Sequence, residues 1–219
     1  MTCNFDYILE ETRLIAILRG IPTDMLTDVL DILWRSGIHL AEITYDISGK
    51  VSDRETACSI KSAVKHMEGK MFIGAGTVLK PEQVDRTKAA GGTFIISPHM
   101  DPKLIQKTKT EGLISIPGVM TVTEAYQAVC NGADYVKLFP ASSLGAEFVK
   151  NIHGPFPQLK VLAVGGIGTE DIPAFLNAGV AGFGIGSSIV NQRLCCENRM
   201  DLIEENAVEY SAVCRMRRK

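Results

Sequence analysis

The stretch "ADYVKLFPA" (133–141) sets Lys137 among Tyr135, Val136, Leu138 and Phe139, in a run with no polar face. A strand that is apolar on both sides belongs in a parallel sheet covered on both faces. A lysine fits poorly there, because taking an unpaired ammonium out of water is costly unless it is paired or loses its proton. The strand assignment survives if Lys137 points into the mouth of a closed sheet.

Seven further runs share this character: "LIAILRG" from Leu14, "HLAEITY" from His39, "MFIGAGTV" from Met71, "TFIISP" from Thr93, "LISIPGV" from Leu113, "KVLAVGG" from Lys160 and "AGFGIGSS" from Ala181. Their starts lie roughly 20 to 32 residues apart, room for one helix and two short loops, as a βαβ unit requires. After the first run, Leu26, Val29, Leu30, Leu33 and Trp34 recur at helical spacing, with Thr23 or Asp24 as N-cap. Helices are expected to begin near Asp53, Pro81, Asp101, Val122, Ala146 and Thr169. Glycines 37, 69, 91, 112, 132 and 179 follow the expected helices, where a residue free to take positive φ closes the last turn.

Eight strand runs alternating with helices imply a closed (β/α)8 barrel, compact beside the typical ~250 residues. The expected organisation is one domain over residues 1–219, with 1–13 a helical lead-in and 191–219 a C-terminal helical segment. A doubly wound open sheet is the alternative, but no strand-following G-x-G-x-x-G is paired with a downstream acid.

The 219-residue chain is 46% apolar and 22% charged with a formal charge of −2, a composition that gives no electrostatic reason for nucleic-acid or membrane binding. Its one basic run, "RMRRK" (215–219), reads as a solvated tail. No long apolar span or signal-peptide pattern is present, so a cytoplasmic location is expected. The six cysteines form no C-x-x-C pair and read as reduced thiols, with neither a disulfide framework nor a structural metal indicated.

In such a barrel, chemistry comes from the C-terminal ends of the strands and the loops that follow. Beyond the opening residues of the runs, the charged side chains are Arg19 in the first, Glu42 in the second and Lys137 in the sixth. Period-two alternation puts Leu40, Glu42 and Thr44 on one face of their strand and Ala41, Ile43 and Tyr45 on the other. One reading makes Glu42 and Lys137 a structural ion bridge, although such buried pairs often add little net stability. The other is catalytic: burial lowers a lysine's pKa and yields a neutral amine able to form a Schiff base, while a buried carboxyl shuttles protons. "AVGGIG" (163–168) and "GIGSS" (184–188) leave the seventh and eighth strands, where barrels often bind phosphate. "GAGTV" (74–78) offers Thr77 at the end of the third. Of the four histidines, only His99 in "SPHM" sits at the active-site end.

The ordered set "LIAILRGI", "EIT", "IGAGTV", "SIPG", "KLFPA", "AVGGI" and "GIGSS" resembles the KDPG/KHG aldolases over about Leu14 to Val190. These are class I enzymes that cleave 2-keto-3-deoxy-6-phosphogluconate or 4-hydroxy-2-oxoglutarate without a metal or other cofactor. The resemblance implies a (β/α)8 barrel and a homotrimer acting on a small phosphorylated or dicarboxylic 2-keto acid. It implies Lys137 as Schiff-base lysine, Glu42 as general acid/base, and Thr77 as a holder of the pyruvyl carboxylate. Gly165, Gly166, Gly186, Ser187 and Ser188 fall in its phosphate loops, and Pro98 and Phe139 complete the expected substrate contacts.

Two positions depart from the resemblance. Many members read E-V-T-L-R, with an arginine for the substrate carboxylate, whereas "EITYD" places Asp46 there. Arg19 in "LRG" is similar to the arginine of relatives acting on 2-keto-3-deoxy-6-phosphogalactonate, and is expected to supply the missing cation. Val164 stands where some members carry a threonine. The competing functional readings are a galactonate-type aldolase, a phosphosugar isomerase using Glu42 as base, and a phosphosugar-binding barrel without aldolase activity.

Overall fold

The computed structural model describes residues 4–216. The eight expected strand runs form nine strand segments: β1 (Leu14–Leu18), β2 (Leu40–Thr44), β3 (Phe72–Gly76), β4 (Phe94–Ile96), β5 (Ile114–Ile116), β6 (Gly118–Val119), β7 (Val136–Leu138), β8 (Val161–Val164) and β9 (Gly182–Ile185). All pairings are parallel, in the order β5-β4-β3-β2-β1-β9-β8-β7-β6. The two end segments are successive halves of the "LISIPGV" run, so the ring is continuous and the open-sheet alternative falls. Pro117 divides that run because it has no N–H for the ladder. Its carbonyl still accepts the Lys137 N–H at 2.8 Å.

Helices α1 (Phe5–Thr12), α2 (Leu26–Arg35), α3 (Asp53–His66), α4 (Pro81–Ala89), α5 (Pro102–Thr110), α6 (Val122–Cys130), α7 (Ala141–His153), α8 (Ile172–Ala178), α9 (Gln192–Cys196) and α10 (Met200–Cys214) complete the fold. The glycines at 37, 69, 91, 112, 132 and 179 all have positive φ, as the turns after the helices require. Helix α7 is interrupted at Gly145 (φ 76°, ψ 165°), so its regular part starts at the expected Ala146, while an extra turn precedes it. Helix α8 begins later than Thr169, because Asp171 accepts the Gly168 N–H at 3.0 Å and holds those residues in a turn.

Two expectations for α2 fail. Its N-cap is Met25, with no side-chain cap, and Trp34 is exposed under the Lys70 ammonium while Ile32 takes the buried place. The expected C-terminal helical segment is part of the barrel's outer layer: α10 packs against α2 and α8 and so closes the helical ring. The start of the basic run is correspondingly held, with the Arg215 guanidinium donating to Gly37 O at 2.6 Å. Residues 217–219 of that run, and Cys3, lie outside the described residues. No described helix is long and apolar enough to cross a membrane.

Alternation along the strands creates two cores. Ala41, Ile43, Tyr45, Val136, Leu138 and Ala163 face the helices. Ile15, Leu40, Phe94, Ile116, Tyr135 and Leu162 fill the barrel. Helix α1 stoppers the N-terminal end: Phe5 packs its ring against Phe72, Phe94 and Tyr135 at centroid distances of 6.1, 5.3 and 6.0 Å. With that end filled by α1, the polar residues of the strands lie toward the opposite, C-terminal end.

Candidate active site

Glu42 and Lys137 share the inward face with Leu40 and Tyr135, respectively, one alternation closer to the barrel mouth. Glu42 is fully buried and Lys137 is 6% exposed. Room for the acid is made by β3, whose two inward positions nearest the mouth are Gly74 and Gly76. A Cβ on Gly76 would lie 2.5 Å from Glu42 Oε1, and one on Gly74 would strike the Phe94 ring. The "GAG" of β3 therefore serves shape as much as backbone exposure.

The ion-bridge reading fails. Neither oxygen of Glu42 has a hydrogen-bond partner, so the carboxyl and the Lys137 amine interact across space without contact. Burial pushes Glu42 above the ordinary carboxyl range, against the opposing fields of Lys137 and Arg19. Burial likewise pulls Lys137 below the usual lysine value, opposed by Glu42 and assisted by Arg19. Both directions favour the uncharged pair, an amine beside a carboxylic acid. Lys137 Nζ lies 5.3 Å from the centre of the Phe139 ring.

Arg19, exposed at the end of β1, donates to Thr77 Oγ1 at 3.1 Å. Thr77 is buried and holds a φ of 55°, a left-handed conformation that strains a β-branched residue. The cation and hydroxyl expected to meet a substrate carboxylate are thus adjacent. Asp46 is occupied differently: its carboxylate accepts Ser48 N–H at 2.9 Å, Ser48 O–H at 2.8 Å and Val51 N–H at 2.9 Å. Those bonds hold its pKa at about 2 and fold the β2–α3 loop around it.

The loops after β7 and β8 interlock. Ser142 N–H donates to Gly165 O at 3.1 Å, and a Cβ on Gly165 would meet the Phe139 ring, on Gly166 the Ser142 hydroxyl. Gly186 sits beside Ile17 at the exit of β9, with Ser187 and Ser188 exposed in the following turn, where Ile189 and Val190 N–H groups return to Gly186 O. Val164 packs across Gly184 and presents only methyls. Pro98 and His99 are exposed at the end of β4, against Gly118, the β6 residue in register with Lys137. Gln83, discussed below, escaped sequence reasoning, although "KPEQ" at a helix start carries the acceptor that caps such a turn.

Surface depressions of about 420 Å³, beside Arg13 and Lys160, and about 780 Å³, beside Lys65 and Phe72, contain neither Lys137 nor Glu42.

The family profile described as KDPG and KHG aldolase matches residues 5–206. A probable 2-dehydro-3-deoxy-6-phosphogalactonate aldolase of Rhizobium meliloti (strain 1021) is 37% identical over 82% of this chain and 82% of its own. The 2-dehydro-3-deoxy-6-phosphogalactonate aldolase of Escherichia coli (strain K12) is 36% identical over 80% of this chain and 83% of its own. Among solved structures, the KDPG aldolase of Legionella pneumophila, with pyruvate captured as a covalent carbinolamine, superposes with a TM-score of 0.84. It is 27% identical and covers 98% of this chain and 100% of its own. With a barrel that gathers Lys137, Glu42, Arg19 and Thr77 at one mouth, the chain belongs to the KDPG and KHG aldolase family of carbon–carbon lyases.

Proposed function

We propose that this chain cleaves a 2-keto-3-deoxy-6-phosphohexonate to pyruvate and glyceraldehyde 3-phosphate through a Schiff base on Lys137, with the galactonate as the preferred epimer. The observation that carries the reading is the buried amine facing a buried, unpartnered carboxyl inside one barrel. Neutral Lys137 attacks the C2 ketone, and Glu42 supplies and removes protons as carbinolamine loses water to become the iminium. Glu42 then takes the proton of the C4 hydroxyl as the C3–C4 bond breaks. The bonding pair collapses into the iminium, giving enamine and aldehyde. Protonation at C3 and return of the water release pyruvate and restore the amine. Arg19 and Thr77 hold the C1 carboxylate, Pro98 and Phe139 line the chain, and Gly165, Gly166, Gly186, Ser187 and Ser188 receive the phosphate.

The galactonate preference is supported by Asp46, whose carboxylate is committed to its own loop and leaves recognition to Arg19. Names of the relatives in Rhizobium meliloti and Escherichia coli lean the same way. The enzyme is proposed to work in the cytoplasm and to assemble as a homotrimer; the exposed apolar side chains Met120, Val122, Tyr126 and Val129 around α6 support self-association.

Borohydride reduction with pyruvate should leave an N-(1-carboxyethyl) adduct on Lys137, seen by peptide mass spectrometry; an unmodified Lys137 refutes the Schiff base. Pyruvate release should be fastest from the phosphogalactonate. Faster release from the phosphogluconate or from hydroxyoxoglutarate would reassign the substrate and leave the chemistry intact.

A further inference from the structure

We infer that Gln83 is a positioning residue that ties two mouth loops together and thereby sets how tightly a substrate carboxylate is held. Gln83 lies in the first turn of α4 and is only 4% exposed. Its Oε1 accepts the Leu79 and Lys80 N–H groups at 2.8 and 3.2 Å, fixing the β3–α4 loop just beyond Thr77. Its Nε2 donates to Asp53 Oδ1 at 3.0 Å, at the point where the β2–α3 loop enters its helix. The main chain joins in, with Gln83 O accepting from Tyr45 O–H at 3.1 Å, next to the last residue of β2.

A helix cap needs the acceptor end alone. The buried donor end, spent on a different loop, exceeds that need and makes the amide specific: glutamate would oppose Asp53, and an apolar residue would orphan both N–H groups. The loop so fixed carries Thr77, whose positive φ is strained and must be held by its surroundings. Releasing the clamp lets Thr77 relax and withdraws its hydroxyl from the Arg19 guanidinium.

This inference rests on the proposed role of Thr77 and Arg19 toward the carboxylate, and two probes separate it from the Schiff-base reading. Borohydride trapping at Lys137 is measured with pyruvate and with hydroxyacetone, which offers a ketone without a carboxylate. In Gln83→Met, half-saturation by pyruvate should rise roughly tenfold, the loss of one hydrogen bond to a charged group, with hydroxyacetone trapping unchanged. Asp53→Ala spares the α4 cap and should show the same selective effect, smaller, with native circular dichroism. Equal slowing of both probes in the variants, or no change in either, overturns the clamp. Failure of the unaltered protein to trap either probe instead overturns the role of Lys137.

Discussion

Gly76→Ala isolates the positioning of the acid with a single methyl. The backbone at Gly76 lies outside the left-handed region, so alanine costs nothing conformationally. The cost is steric, since the new Cβ would stand 2.5, 2.6 and 2.8 Å from Oε1, Cδ and Oε2 of Glu42. Reaching ordinary contact near 3.4 Å displaces the carboxyl by about 0.9 Å, and a misplacement of that size costs on the order of 100-fold in rate. Overpacking adds a loss of about 1–3 kcal/mol in stability. Steady-state cleavage, followed by coupling released pyruvate to lactate dehydrogenase, should show kcat down about 100-fold with KM nearly unchanged, because Arg19 and Thr77 are untouched. Retention of kcat within about threefold, in a protein whose Tm has fallen by the overpacking cost, would refute the placement of Glu42 as proton carrier.

Two other outcomes follow from the buried groups. Glu42 titrates above its unfolded value of 4.5, so the folded state binds more protons and stability declines as pH rises through the folded pKa. Glu42→Gln should remove that slope in urea titrations at successive pH values and raise Tm above neutrality, with cleavage lost. Phe5→Ala, which empties the aromatic stopper at the far end, should cost about 3–5 kcal/mol by urea unfolding while kcat of the folded protein holds.

The barrel was legible because buried parallel strands write themselves as apolar runs and helix ends as glycines; all eight runs lie where the sequence placed them. What escaped depends on neighbours distant in sequence. Trp34 fits the periodicity of α2 yet lies at its edge under Lys70. Lys137 and Glu42 were visible as charges in apolar strands, but their lack of contact follows from barrel geometry, which no local pattern encodes. Gln83 was hidden because its partners Asp53 and Tyr45 lie far back in the chain.

Asp46 illustrates how a recognition position can change trade. Where the family resemblance leads one to expect an arginine, this chain places the keystone of its own loop. Grafting arginine onto position 46 would therefore be demolition as well as construction, removing three hydrogen bonds before any new charge could be aimed. Redesigning this mouth for another acid begins with Ser48 and Val51, which would need a new acceptor, and only then with the cation.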